Sequence, residues 1–273
     1  MTSQISPLSI EELRYIKSPK FRELFRQAYD LIEHVGPAFS EDQQFLYDRM
    51  RASATEPTKR TAAQQEMMPP NYSCHLLVGR RGNEITHVAY GSLVPYQDPN
   101  RGERTATFMG YLARAEGEGS LDSGRILVKA LMNTLDLDSI NSTGLLPRWR
   151  TFEIERGNPD DILLARLAME MGAFPLGIAY VQPGIDIEKG AQSQHGPAGL
   201  DLYAGRVQDM LTQAQTRRKT YDTREVEVVV EGIHRKEYVP FDEAAFNMVQ
   251  DSIRSKQAIR HNFSETAMGW LKG

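Results

Sequence analysis

The chain of 273 residues carries one cysteine, Cys74. No disulfide can close within it, and a reducing cytoplasm is the simplest compartment. Basic charge is not in surplus either. The formal net charge is -4, which argues against a broad nucleic-acid surface while leaving room for one local basic pocket. No apolar run approaches the roughly 18 residues of a membrane span. The start, "MTSQISPLSIEELRYIK", lacks the apolar core of a signal peptide. The histidines (His34, His75, His87, His195, His234 and His261) are scattered, and none stands at ligand spacing from Cys74 or a carboxylate. No metal is therefore expected. Internal repeats are missing as well.

What remains is the composition of a globular protein, 40% hydrophobic and 25% charged, sufficient for one large domain or one domain with extensions. Its first third has helical periodicity. "SPKFRELFRQAYDLIEHV" places Phe21, Leu24, Phe25, Ala28, Ile32 and Val35 on one face behind Ser18-Pro19, and "SEDQQFLYDRMRA" predicts a second helix capped by Ser40. Residues 53–72, polar and punctuated by Pro57, Pro69 and Pro70, predict a loop.

The period then changes to that of strands. "CHLLVGR" and "EITHVAYGSLVPY", joined at Arg81–Asn83, predict an antiparallel hairpin, and "RTATFMGYLAR" a third strand. A helix is expected from about Leu121 to Leu135, a fourth strand at "RWRTFEIER", and a helix at "NPDDILLARLAMEMGAF" capped by Asn158. "FPLGIAYVQP" predicts a fifth strand and "GLDLYAG" a sixth. The remainder predicts a helix, a strand at "REVEVVVEGIH" and a helix at "FDEAAFNMVQDSIRSKQ". Strands three and four are joined through a helix, which calls for a right-handed parallel crossover.

Three local patterns on this string of elements carry chemistry. The first is "GYLARAEGEGSLDSGRILVKALMNTL", Gly110 to Leu135, in which a strand and a helix are separated by nearly bare backbone. Such a turn before a helix N-terminus can hold an anion. The second is "FEIERGN", Phe152 to Asn158; the third is "LARLAMEMGAFPLGIAYVQPGI". Together, over roughly residues 76–205, they resemble the GNAT superfamily of acyl-CoA-dependent N-acyltransferases. The resemblance implies an α/β fold with a mixed central sheet flanked by helices in three α-β-α layers. It implies a domain of residues 1–205 that includes the N-terminal helices of 1–60. Residues 206–273 form an extension, expected to pack on the same domain.

The resemblance also implies acetyl-CoA or another acyl-CoA as co-substrate. "RAEGEG" matches the family's pyrophosphate turn, which puts Arg114, Gly117, Gly119 and Ser120 at the phosphates. Aligned instead from the helix, "SLDSGRILVKAL" puts Gly124 and Arg125 at the end of that motif, with Asp122 in a glycine position. Backbone groups of Tyr111, Leu112 and Ala113 would hold the pantetheine arm and the oxyanion, and Asn158 matches the family's cofactor-contacting asparagine. The family's usual tyrosine acid falls at Ala168. Glu153, matching the motif glutamate, is the candidate base and Tyr180 the candidate replacement acid. Tyr111 and His87 are further candidates; the plain alternative is a solvent-facing strand residue for Glu153, core packing for Tyr180 and a satisfied strand histidine for His87. Met67, Met68 and the N-terminal helices can wall the acceptor site, and Cys74 belongs to the core.

The implied function is transfer of an acyl group, acetyl in the first instance, to an amine on a small molecule or peptide. Neither nucleic acid nor membrane is an expected partner. A non-catalytic acyl-CoA-binding or regulatory module is an alternative, and so is an acyltransferase fed by a carrier protein or aminoacyl-tRNA. A lid, an extra layer and a homodimer contact are the roles open to the extension.

Overall fold

The computed structural model describes residues 7–35, 43–116, 121–155, 161–181, 199–208, 220–237 and 242–260. Two compact units divide the chain: residues 1–92 with 109–138, and residues 93–108 with 139–273.

In the first unit, β1 (Ser9–Glu12) precedes α1 (Pro19–Val35) and α2 (Gln43–Ser53). The Ser18 hydroxyl accepts from the Phe21 N–H at 3.1 Å, which starts α1. Phe21, Phe25, Ala28 and Ile32 are buried at helical spacing. Tyr15 and Tyr47 meet this face edge-on, Tyr15 at 5.3 Å from Phe21 and Tyr47 at 5.3 Å from Phe25. The expected loop over 53–72 instead contains a 3-10 turn at Pro57–Lys59 and a short helix, α3 (Ala62–Met67). Thr61 and Gln64 make the reciprocal bonds of a capping box, enough to hold one turn and a half of helix in a polar stretch. β2 (Ser73–Arg81) runs between β1 and β3. The β1 pairing, Ser9 with Arg80 through Glu12 with Leu77, is absent from the sequence expectation. "SIEE" is a short, half-exposed edge strand, and little in four such residues announces it.

β3 (Glu84–Asp98) and β4 (Gly102–Arg114) are long enough to contribute to both units, and α4 (Leu121–Thr143) continues eight residues past the expected Leu135. In the second unit, β5 (Trp149–Glu155) lies beside β4. Their contacts advance together, Arg148 N to Thr105 O at 2.8 Å and Thr151 Oγ1 to Thr107 O at 2.8 Å. That is the parallel sense a helical crossover produces. α5 (Asp161–Glu170) follows. The expected fifth strand is reduced to β6 (Phe174–Pro175) and β7 (Tyr180–Val181). Pro175 has no N–H to extend the ladder, and Gly177 at φ 64° turns the chain away before Tyr180 returns. β8 (Gly199–Arg206) pairs antiparallel with β5, β6 and β7. The sheet order is β1-β2-β3-β4-β5-β8-β6 with β7 beside β8, while β9 (Thr220–Tyr221) and β10 (Ile259–Arg260) make a separate ribbon. This mixed α/β sheet, with the element order β-β-β-α-β-α around it, is the architecture the resemblance implies.

One expectation fails outright. "REVEVVVEGIH" is not a strand but most of α6 (Thr223–Glu237). Alternating valines suggest a strand, yet Val226, Val229, Val230 and Ile233 fall on one helical face and are buried. Asp222 caps the start, its Oδ1 accepting from Arg224 N at 2.9 Å and Glu225 N at 3.2 Å. Glu225 then anchors the helix. It accepts from Arg148 Nε at 2.7 Å and from the Trp149 indole at 3.2 Å, and also from Arg206. A Cβ on Gly232 would stand 3.0 Å from Tyr96 Cβ, so the glycine lets α6 lie close on β3. Tertiary contacts override a local β preference that is only weak. α7 (Glu243–Arg254), capped by Asp242, buries Phe246, Val249 and Ile253 as expected. The helix expected before residue 220 lies outside the described residues.

Candidate active site

In the first unit, β4 ends at Tyr111, Leu112, Ala113 and Arg114; Ala113 is buried and the other three half-buried. Ala115 N–H donates to Thr86 O at 2.8 Å, which ties this end of β4 to β3. Gly117, Gly119 and Ser120, and likewise Asn158, lie outside the described residues. α4 opens at Leu121. A helix leaves its first N–H groups without intrahelical partners, so the start of α4 is the kind of place that can face an anion. Asp122 is exposed and pairs with Arg125 Nη1 at 2.5 Å. Arg81, at the end of β2, donates from Nη2 to the buried Ser123 hydroxyl at 3.3 Å. It thereby stands at the first turn of α4, a position that no local motif in the sequence marks.

A second group was legible only in part. The Tyr111 ring lies 5.9 Å from that of Tyr90, whose hydroxyl accepts from Arg49 Nη1 at 2.9 Å. The Arg49 guanidinium sits over Phe45 at 4.6 Å and Tyr72 at 5.8 Å. Arg49 is fully buried, and its place between Leu46 and Met50 on the apolar face of α2 was the available signal. His87 is buried on β3 with Nδ1 3.0 Å from Thr86 Oγ1, a core histidine beside Gly79. Cys74 is 1% exposed within β2.

In the second unit two of the sequence candidates meet. Tyr180, on β7, donates its hydroxyl proton to Glu153 Oε1, on β5. β8 lies between in the pairing, with Glu153 opposite Leu202 and Tyr180 opposite Leu200. Tyr180 is 1% exposed, while Glu153 is half-buried. The phenol ring is met edge-on by His234 of α6, at 5.4 Å and 75°, and His234 in turn by Phe246 of α7 at 5.5 Å. Burial pushes the His234 imidazole down to about 4, against the pull of Asp242, so it is neutral near pH 7. Ala179 N–H donates to Ser252 Oγ of α7 at 2.8 Å. Ala168, where the resemblance would have a tyrosine, is fully buried near the end of α5. Neither His234 nor Ser252 stood out in the sequence, because each lies far from Tyr180 along the chain.

Among the described residues no cluster of three or more His, Cys, Asp or Glu side chains could hold a metal ion. None of their helices is long and apolar enough to cross a membrane.

No family model matches the sequence. Nor does any curated protein match it significantly. Among solved structures, the ribosomal-protein-alanine N-acetyltransferase from Brucella melitensis is similar at 17% identity and TM-score 0.43, over 73% of this chain and 99% of that one. The acetyltransferase of the GNAT family from Streptococcus pneumoniae is similar at 10% identity and TM-score 0.42, over 73% and 99%. The ribosomal-protein-S18-alanine N-acetyltransferase from Escherichia coli is similar at 12% identity and TM-score 0.42, over 74% and 94%. At this degree of similarity none of their activities carries over to this chain.

Proposed function

We propose that the chain is an N-acyltransferase that moves an acyl group from acyl-CoA, in the first instance acetyl-CoA, to an amine of a small molecule or peptide. The observation that carries this reading is the hydrogen bond from Tyr180 to Glu153. The candidate base and the candidate acid, 27 residues apart, are joined by a hydrogen bond in the fold.

The chemistry needs two proton movements. The amine nitrogen forms the C–N bond and loses a proton to Glu153, while the C–S bond breaks and the CoA sulfur receives a proton from Tyr180. Tyr180 recovers one from Glu153 along their hydrogen bond, so the pair returns to its starting state. This supplies the acid that Ala168 cannot. The co-substrate is assigned to the backbone of Tyr111–Arg114 and the start of α4, with "RAEGEG" as the phosphate turn. Arg81 joins the assignment as a cation beside the first turn.

The test is a panel of acyl-CoA donors against an amine library, reading released thiol, with Glu153→Gln in parallel. Thiol release that depends on both donor and amine supports the reading. Release that Glu153→Gln leaves unchanged between pH 6 and 9 removes Glu153 from the mechanism.

A further inference from the structure

Tyr180 is 1% exposed. It sits on a strand of two residues that pairs with β8 only through Tyr180–Leu200 and Val181–Gly199. A phenol hydroxyl must be held to within a few tenths of an ångström to serve as an acid, and two ladder positions do not fix the ring's rotation. Residues of the last third of the chain meet the ring and its neighbouring backbone. His234 meets the ring edge-on at 5.4 Å, an arrangement aromatic rings favour. Phe246 backs His234 at 5.5 Å, and Ser252 pins the adjacent backbone N–H of Ala179 at 2.8 Å. These three residues belong to α6 and α7 of the C-terminal segment.

We infer that His234 is a positioning residue for the Tyr180–Glu153 pair, holding the phenol ring at the angle at which its hydroxyl meets the carboxylate. The inference rests on the acyltransferase reading, which gives the pair its task. The C-terminal segment is then part of the catalytic apparatus rather than an appendage to it. An uncharged ring suits the place: it holds Tyr180 by its edge without competing for Glu153.

The experiment compares His234→Leu, which keeps bulk and burial but removes the ring, with His234→Phe, which keeps the ring. Both are made in the full-length protein and in a Tyr180→Phe background. His234→Leu is expected to lower kcat about 10-fold, part of the roughly 100-fold or more that full loss of acid–base assistance costs, with acyl-CoA affinity unchanged; His234→Phe restores most of the rate. In the Tyr180→Phe background His234→Leu should cost nothing further. Equal losses in both backgrounds, or no loss in either, overturn the inference. If His234→Leu does not fold, Phe246→Leu, which removes the ring 5.5 Å behind His234, carries the same comparison.

A second arm needs no substrate. The carbon-13 signal of the Tyr180 ring carbon bearing the hydroxyl, assigned by its disappearance in Tyr180→Phe, reports the bond to Glu153. It should shift in His234→Leu (or Phe246→Leu) and stay in place in His234→Phe. An unmoved signal overturns the positioning role. A moved signal in a protein that transfers no acyl group from any donor keeps the positioning and removes only the acyltransferase assignment.

Discussion

His75 offers the sharpest test of the electrostatics. On β2, its Nδ1 lies 2.7 Å from Glu12 Oε1 of β1, and its Nε2 lies 2.7 Å from Asp138 Oδ2 of α4. With a carboxylate on each ring nitrogen, both nitrogens serve best as donors, so the ring is held as imidazolium. Burial by itself would lower the His75 pKa. The bonds and charges of Asp138 and Glu12 outweigh it and raise the pKa to about 9. Glu12 is held below the usual range chiefly by its bond to His75. Burial works against ionised Asp138, but its bonds to His75 and Ser73 prevail and lower it too. The sign follows from linkage. A pKa raised above its unfolded value near 6.5 gives stability that is complete below pH 6.5 and lost as pH rises through 9. At about 1.4 kcal/mol per pKa unit this amounts to about 3 kcal/mol, shared with the two carboxylates because one interaction is felt at both ends. On the acid side the lowered carboxylates lose their share as pH falls below about 4. His75→Gln should therefore cost about 3 kcal/mol at pH 6, roughly 5–10 °C in Tm for a chain of this size, and far less at pH 10. The assay is urea and thermal unfolding of both proteins from pH 5 to 10. A wild-type stability that is flat between pH 6.5 and 9.5, or a His75→Gln deficit independent of pH, would show that the ring is neutral and the reasoning wrong.

Other perturbations read other parts of the molecule. Glu153→Gln should lower kcat by about 100-fold or more, the general acid–base range, with acyl-CoA affinity nearly intact by calorimetry; Tyr180→Phe should cost less, because a thiolate leaves tolerably on its own. Gly119→Val should weaken CoA binding strongly and Gly124→Val much less, and the reverse order in titration calorimetry would move the phosphates to the helix-centred alignment. Glu225→Gln leaves Arg148 and Arg206 without their shared carboxylate. A loss of about 3 kcal/mol in urea unfolding is expected, the lower end for breaking a buried pair; a loss under about 1 kcal/mol would class it with surface pairs.

Much of this fold can be read along the chain because its signals are local. Phe21, Phe25, Ala28 and Ile32 repeat at helical spacing, and Gly82 and Asn83 punctuate the β2–β3 hairpin. The strand that ends at Arg114 and the helix that starts at Leu121 announce themselves in order. The unread parts depend on distance. The alternating valines of 226–230 favour a strand until Glu225 finds Arg148 and Arg206, partners 77 and 19 residues away. His75, Glu12 and Asp138 are separated by 63 residues on either side, so no window of sequence joins them. The candidate site was half legible: Glu153 and Tyr180 each carried a motif, but their hydrogen bond, and the ring of His234 beside Tyr180, exist only once β5, β7, β8 and α6 are assembled.

Cys74, the single cysteine, is 1% exposed within β2. An aromatic disulfide reagent that colours with every free thiol will therefore find the native protein nearly silent, and under the proposed acyltransferase reading the sulfur of each departing CoA would be counted against a dark background with no blocking step. The same silence makes Cys74 a clock. With substrates withheld, slow colour development measures how often β2 opens, so one reagent in one cuvette times both turnover and unfolding.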